Sequence, residues 1–238
     1  MTRGNLTRYS LWQLRDFIRD RGIALLLVGS LIGVSVIAPV KAVGRDIDAN
    51  MAKEIISALL QQVGFVLAFI ALNGIVSTDR KMGYYRFLFS KPVSITAYYS
   101  QLFVVYLIGF LLVCGILLGA FSAFAHPVSP VRPLLFFGLV FLSFGGIAFL
   151  VSTLVRYDWP VLAAIFLGSA LLHSLWQYAE GWRRMVLSIL PPLYHLPEAL
   201  PDIMNRGVVN TNDILWLLGY NAICFVAGLI VLKRRPFA

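Results

Sequence analysis

The chain of 238 residues is short of most of what soluble chemistry uses. Only 13% of it is charged and 59% is apolar, where a soluble domain is about a quarter charged and about half apolar. It has two cysteines, Cys114 and Cys224, each inside an apolar run and without a CxxC partner, so both read as small packing residues. Its three histidines, His126, His173 and His195, fall in three separate segments. None has metal-ligand spacing, and neither HExxH nor paired CxxC motifs occur, so no metal site is expected. There is no GxxxxGK[ST] loop to cradle nucleotide phosphates. Gly33-Val-Ser-Val-Ile37 is only the front half of a nucleophile elbow. No Asp or Glu interrupts the long apolar runs, which argues against ion-coupled transport, because such carriers place carboxylates at membrane depth. The expectation is a chain with no catalytic residues, no cofactor and no enzymatic activity of its own.

What the chain has in quantity is uncharged length. Mean hydropathy is +0.82, and the apolar residues gather into six runs: Gly22–Val40, Ile55–Val76, Tyr99–Ala125, Leu134–Val155, Trp159–Trp176 and Ile214–Leu232. Each is long enough for a helix to cross the bilayer core. None alternates as barrel strands do, and lipid admits only helices or closed barrels. The sequence therefore predicts an all-α membrane protein, a single transmembrane domain over 1–238 with six spanning helices. The first run could be mistaken for a secretory signal, but it is longer than an h-region of roughly 7–15 residues. The segment before it holds Asp16 and Asp20, and Val40-Lys-Ala42 is a poor cleavage match, so it reads as an uncleaved anchor.

Charge predicts orientation. With the N-terminus inside, the inner segments hold Arg3, Arg8, Arg15, Arg19, Arg21, Arg80, Lys81, Arg86, Lys91, Arg156, Lys233, Arg234 and Arg235 against Asp16, Asp20, Asp79 and Asp158. The remaining basic and acidic residues cancel outside, so the whole net charge of +9 lies on the inner side, as the positive-inside rule requires. Both termini are expected to be cytoplasmic. The high pI reads as topology and anionic-lipid contact; without a soluble basic domain, nucleic acid is not expected as a partner.

Ser10-Leu-Trp-Gln13 has capping-box spacing, with Tyr9 and Leu14 placed for a hydrophobic staple. Leu11, Leu14 and Ile18 share a helical face bordered by Arg8, Arg15 and Arg19. Residues 1–21 therefore predict an amphipathic helix lying at the membrane interface before a turn at Gly22, with Trp12, Arg15, Phe17 and Arg19 as its contact residues. Gln61, Gln62 and Asn73, in the second run, serve either interhelical hydrogen bonds or a polar path. His173, in the fifth, is a candidate for a polar cavity, as a lone intramembrane His usually faces the bundle interior. His126–Pro133 and Arg156–Pro160 read as tight structural turns, with Arg156 and Asp158 bonding water or each other.

The longest connection, 177–213, divides into a basic stretch, Gly181–Leu190, and the apolar, proline-rich Leu190–Pro201. Too broken to span, it predicts re-entrant or surface helices over the outer side of the bundle. The 77–98 segment is the most distinctive. It carries Arg80, Lys81, Tyr84, Tyr85, Arg86, Phe87, Phe89 and Lys91 between two uncharged spans. Gly83 permits a break and Pro92 disfavours helix at Lys91, which bounds a short helix at about Tyr84–Ser90, while Ser94 can cap the third span. Tyr, Phe and Arg suit a protein interface as well as an aromatic belt with basic anchors.

Ile75-Val-Ser-Thr-Asp-Arg-Lys-Met-Gly-Tyr-Tyr-Arg-Phe-Leu-Phe-Ser-Lys-Pro-Val-Ser94, followed by Tyr98-Tyr99, resembles the inner loop of bacterial ABC-2-type permeases, the membrane subunits of ABC exporters. The basic N-terminal helix, the six spans and the outer proline-rich segment are similar as well. The resemblance implies that Arg80, Gly83, Tyr84, Tyr85, Arg86, Phe87, Phe89 and Lys91 form a coupling helix that docks on a separate ABC ATPase present in two copies. ATP and Mg would be bound by that ATPase, not by this chain. It implies a second permease subunit, identical or related, alternating access, a bacterial inner-membrane location, and a path that includes Gln61, Gln62, Asn73, Ser169 and His173. Drug, lipid, peptide and polysaccharide substrates fit equally. Two alternatives stand beside it. One is a mechanical subunit that passes ATPase motion to an extracytoplasmic accessory protein without cargo. The other is an intramembrane hydrolase using His173 and a nearby serine.

Overall fold

The computed structural model describes residues 3–42, 47–83, 94–176, 178, 180–191, 193, 195–206 and 211–234. Among these, the regular structure is entirely helical. The elements are α1 (Arg3–Phe17), a π-helical segment (Ile18–Gly22), α2 (Ile23–Ala42), α3 (Ala49–Leu72), α4 (Ser77–Met82), α5 (Ile95–Phe124), α6 (Val131–Leu154), α7 (Asp158–Trp176), α8 (Trp182–Ile189), α9 (His195–Arg206) and α10 (Thr211–Arg234). Six helical stretches are long and apolar enough to cross a membrane: Tyr9–Ala42, Ala49–Asp79, Ile95–Phe124, Val131–Leu154, Asp158–Trp176 and Thr211–Arg234.

The helix starts follow local chemistry. Asp48 Oδ1 accepts the Met51 N–H at 2.7 Å, an N-cap for α3. Pro133 and Pro160 sit in the first turns of α6 and α7, where a missing N–H removes no intrahelical bond. Ser94 immediately precedes α5; its hydroxyl shares a 2.8 Å hydrogen bond with that of Thr96 and lies 3.5 Å from the Ala97 amide. The N-terminus departs from the capping-box expectation. α1 already begins at Arg3, which puts Ser10 and Gln13 inside the helix. Nor does the chain break at Gly22: Phe17 and Ile23, on either side of the π segment, both keep right-handed helical dihedrals. The result is one continuous helical stretch whose Tyr9–Ala42 portion alone is 34 residues, about 50 Å at 1.5 Å per residue. That exceeds the roughly 30 Å hydrocarbon core, so part of it must lie outside.

The chain divides into two compact units. One comprises Met1–Ala71, Tyr99–Phe141 and Leu200–Val208. Its core is aromatic: Phe110 meets Phe141 at 5.3 Å and Phe137 edge-on at 6.0 Å, and Phe103 meets Phe141 at 5.5 Å. Arg132, in the first turn of α6, donates to the Met204 carbonyl at 2.6 Å and to that of Asn205 at 3.3 Å, joining it to the last turn of α9. The other unit comprises Leu72–Tyr98, Leu142–Ala199 and Val209–Ala238. Here α6 and α10 touch through small residues. Asn221 is buried and its Oδ1 accepts the Gly146 N–H. Gly228 faces Phe149, which pairs with Phe225 at 4.6 Å. Close backbone approach at glycines is the usual way membrane helices pack, since lipid supplies no hydrophobic drive between them.

Candidate functional site

At the end of α3 the helix gives way to a turn over Asn73–Val76, opened by Gly74 at φ 74°. Positive φ is natural for glycine and costly for a residue with a Cβ. The turn frees backbone amides, and three of them go to two buried side chains. Asp158, the first residue of α7, is 1% exposed and accepts the Gly74 N–H on Oδ2 at 2.8 Å. Ser152, in the last turn of α6, is fully buried and accepts the Val76 and Ser77 amides at 2.9 and 2.8 Å. One hydroxyl has two lone pairs, so a single serine satisfies both donors. A carboxylate at the N-terminus of α7 also benefits from the helix dipole. Thr78 N–H returns to the Gly74 carbonyl at 3.2 Å, and α4 follows. The Lys81 ammonium lies 4.7 Å from the centre of the Tyr157 ring, a cation–π contact in the same α6–α7 turn. Three residues of that turn region, Ser152, Tyr157 and Asp158, thus clamp the base of the 77–98 segment. Among the described residues no ion pair joins Asp158 to Arg156; the carboxylate turns inward to the Gly74 amide.

Gly83, at φ 70°, ends α4, so the chain does break where the sequence places a break. The short helix observed precedes it, at Ser77–Met82, and includes Arg80. The expected helix over Tyr84–Ser90, with Tyr84, Tyr85, Arg86, Phe87, Phe89 and Lys91, lies outside the described residues.

The N-terminal residues divide between two faces. Trp12 is 51% and Leu11 66% exposed, and Arg15 and Arg19 are exposed as well. Phe17 is 1% exposed and does not face outward: it packs on Tyr106 at 4.9 Å and against Gly109 of α5, where a Cβ would collide with its ring. Arg21 lies 4.7 Å from the Tyr106 ring and donates to the Ala71 carbonyl near the end of α3. Gln101 donates to Ser10 Oγ at 2.9 Å and to Gln13 Oε1 at 3.2 Å. The residues that suggest a capping box therefore join α1 to α5. Replacing Phe17 by alanine is expected to destabilise the fold by about 3–5 kcal/mol, the cost of emptying a buried aromatic site. Trp12→Ala should stay within about 0.5 kcal/mol. Thermal unfolding in detergent followed by fluorescence compares the two.

The path candidates fall in both units. Gln61 and Gln62 are exposed on α3. Asn73 is half-buried in the turn beside Gly74. Ser169 is buried, its hydroxyl without a hydrogen-bond partner among the described residues, and His173 lies one turn further along α7, half-buried. No group of three or more His, Cys, Asp or Glu side chains placed to hold a metal occurs among the described residues. No protein-family model matches the chain, and no curated protein matches it either. Sequence reasoning missed Ser152 and Asn221. Both lie in apolar runs, Ser152 beside Thr153, and their partners lie 75 or 76 residues away in the chain.

Proposed function

We propose that this chain is the membrane-spanning permease subunit of an ATP-driven exporter of the ABC-2 type. In this reading it sits in a bacterial cytoplasmic membrane with both termini inside. A separate ATPase, in two copies, binds ATP and Mg and docks on the 77–98 segment, and a second permease subunit completes the path for alternating access. The observation that carries the proposal is the clamp at the base of that segment. A docking segment transmits force only if its root is fixed to spanning helices, and Ser152 and Asp158 tie the Gly74, Val76 and Ser77 amides at that root to the last turn of α6 and the first residue of α7. The positive-inside charge pattern and the aromatic, basic composition of 77–98 support the same reading.

The docking claim is tested by co-expressing the tagged chain with a candidate ABC ATPase from the same genome and co-purifying the two. Arg86→Glu combined with Phe87→Ala should lower recovered ATPase at least about tenfold, since a charged and an aromatic interface anchor together commonly exceed the 1.4 kcal/mol that tenfold represents. Undiminished assembly and unchanged ATP turnover in the double variant would refute it.

A further inference from the structure

Within the first unit, α2, α3 and α5 line a half-open cavity of about 430 Å³, inside the about 300–1,000 Å³ range of small-molecule sites. Gly29 and Gly33 of α2, Leu60 and Leu67 of α3, and Leu117 and Phe121 of α5 are among its walls. Gln61 and Gln62 do not line it. Among the described residues, two polar side chains do, Ser30 and Lys41. The lining on α2 runs from Gly29 to Lys41, about 18 Å at 1.5 Å per residue. One leaflet of a hydrocarbon core is about half of 30 Å. The cavity is therefore as deep as one leaflet and has its cation at one end, where the uncharged run of α2 stops. Lys41 donates one hydrogen bond, to the Phe124 carbonyl at the end of α5. An ammonium has three donors, so among the described residues two are left for an anion. Gly33 keeps the wall open: a Cβ there would meet nothing within 4 Å.

We infer that this cavity is a binding site for the alkyl chain of an anionic amphiphile, with the chain along α2 and its anionic head on Lys41. A neutral head would leave the lysine unanswered, and a purely polar ligand would find no partner along the walls. The inference does not depend on the exporter reading.

The test uses the full chain in nanodiscs with three photoreactive probes sharing one acyl chain: a fatty acid, a phosphatidylglycerol and a phosphatidylcholine. Crosslinked peptides are mapped by mass spectrometry. Labelling of α2, α3 and α5 residues at the cavity should favour the two anionic probes at least about fivefold over the zwitterionic one. The stronger of the two names the source, lipid or free acid. Gly33→Leu, which fills the space, should abolish that labelling. Lys41→Gln, which leaves the apolar wall intact, should erase the charge preference while retaining some labelling. A lysine serving only as a cap for α5 would not move that preference. Equal labelling by all three probes, or labelling spread over every lipid-facing helix and unchanged in both variants, overturns the inference.

Discussion

Asp158→Ala should release the base of the 77–98 segment and make it cleavable. The Gly74 amide, paired at 2.8 Å with a fully buried carboxylate, would lose its acceptor. An orphaned buried donor costs about 1–3 kcal/mol, and hydrogen bonds to charged groups lie at the upper end. If α4 opens and recloses faster than trypsin cuts, cleavage after Arg80 or Lys81 should rise roughly 5- to 150-fold, the ratio that this free energy represents. Ser152→Ala should behave alike, because it orphans the Val76 and Ser77 amides together. The double variant should fall short of the sum, since the two side chains hold one turn. Asp158→Asn is the decisive control: its Oδ1 still accepts from Gly74, so cleavage should stay within a few-fold of the parent. If Asp158→Ala is cleaved no faster than the parent, the Asp158 side chain is not what holds the turn. In the exporter reading, the alanine variants should still recruit the ATPase while transport-coupled ATP turnover falls.

Gly146→Ala should be more damaging to the fold than any exposed change. A Cβ at that position would sit closer than 3.0 Å to the carbonyl carbon and oxygen of Asn221 and to its side-chain oxygen. Two of those atoms are backbone, so α6 and α10 must separate or one must shift along its axis. Overpacking typically costs about 1–3 kcal/mol, and here the separation would also break the hydrogen bond from the Gly146 amide to the buried Asn221. Helix pairs in lipid depend on van der Waals contact, so the loss is not recovered by burial elsewhere. The folded, detergent-stable fraction measured by size-exclusion chromatography should drop severalfold. Gly115→Ala and Gly168→Ala meet nothing within 4 Å and should leave that fraction unchanged. This contrast separates a packing effect from the mild stiffening that any glycine-to-alanine change brings to a helix.

The long helices were legible because lipid imposes a length, and a soluble core seldom needs an uncharged run that long. Gly83 was legible as a break for an equally local reason, its access to positive φ. What escaped was long-range pairing. The Ser10–Gln13 spacing suited a cap, yet its partner is Gln101, 88 to 91 residues away, and α1 begins upstream. Phe17 sits among arginines on a segment with an apolar stripe, and nothing local says that its ring meets Gly109. Asp158 follows Arg156 so closely that water or a local pair was the natural reading, whereas its acceptor role lies 84 residues back, at Gly74. In an apolar span, hydropathy tells which residues enter the membrane and is silent on which polar atom answers which.

α2 has a further consequence for how the molecule is made. Its most apolar window has only 11% of its residues buried, while that of α6 has 67%. During synthesis α2 leaves the ribosome before the other five spanning helices described. It must be stable in lipid without them at that stage, and its sparse contacts mean that it stays largely lipid-solvated afterwards. α6 is the reverse: most of its surface is covered only once helices made before and after it have arrived. Assembly in the membrane is therefore expected to start from a sparsely contacted anchor and to finish around α6.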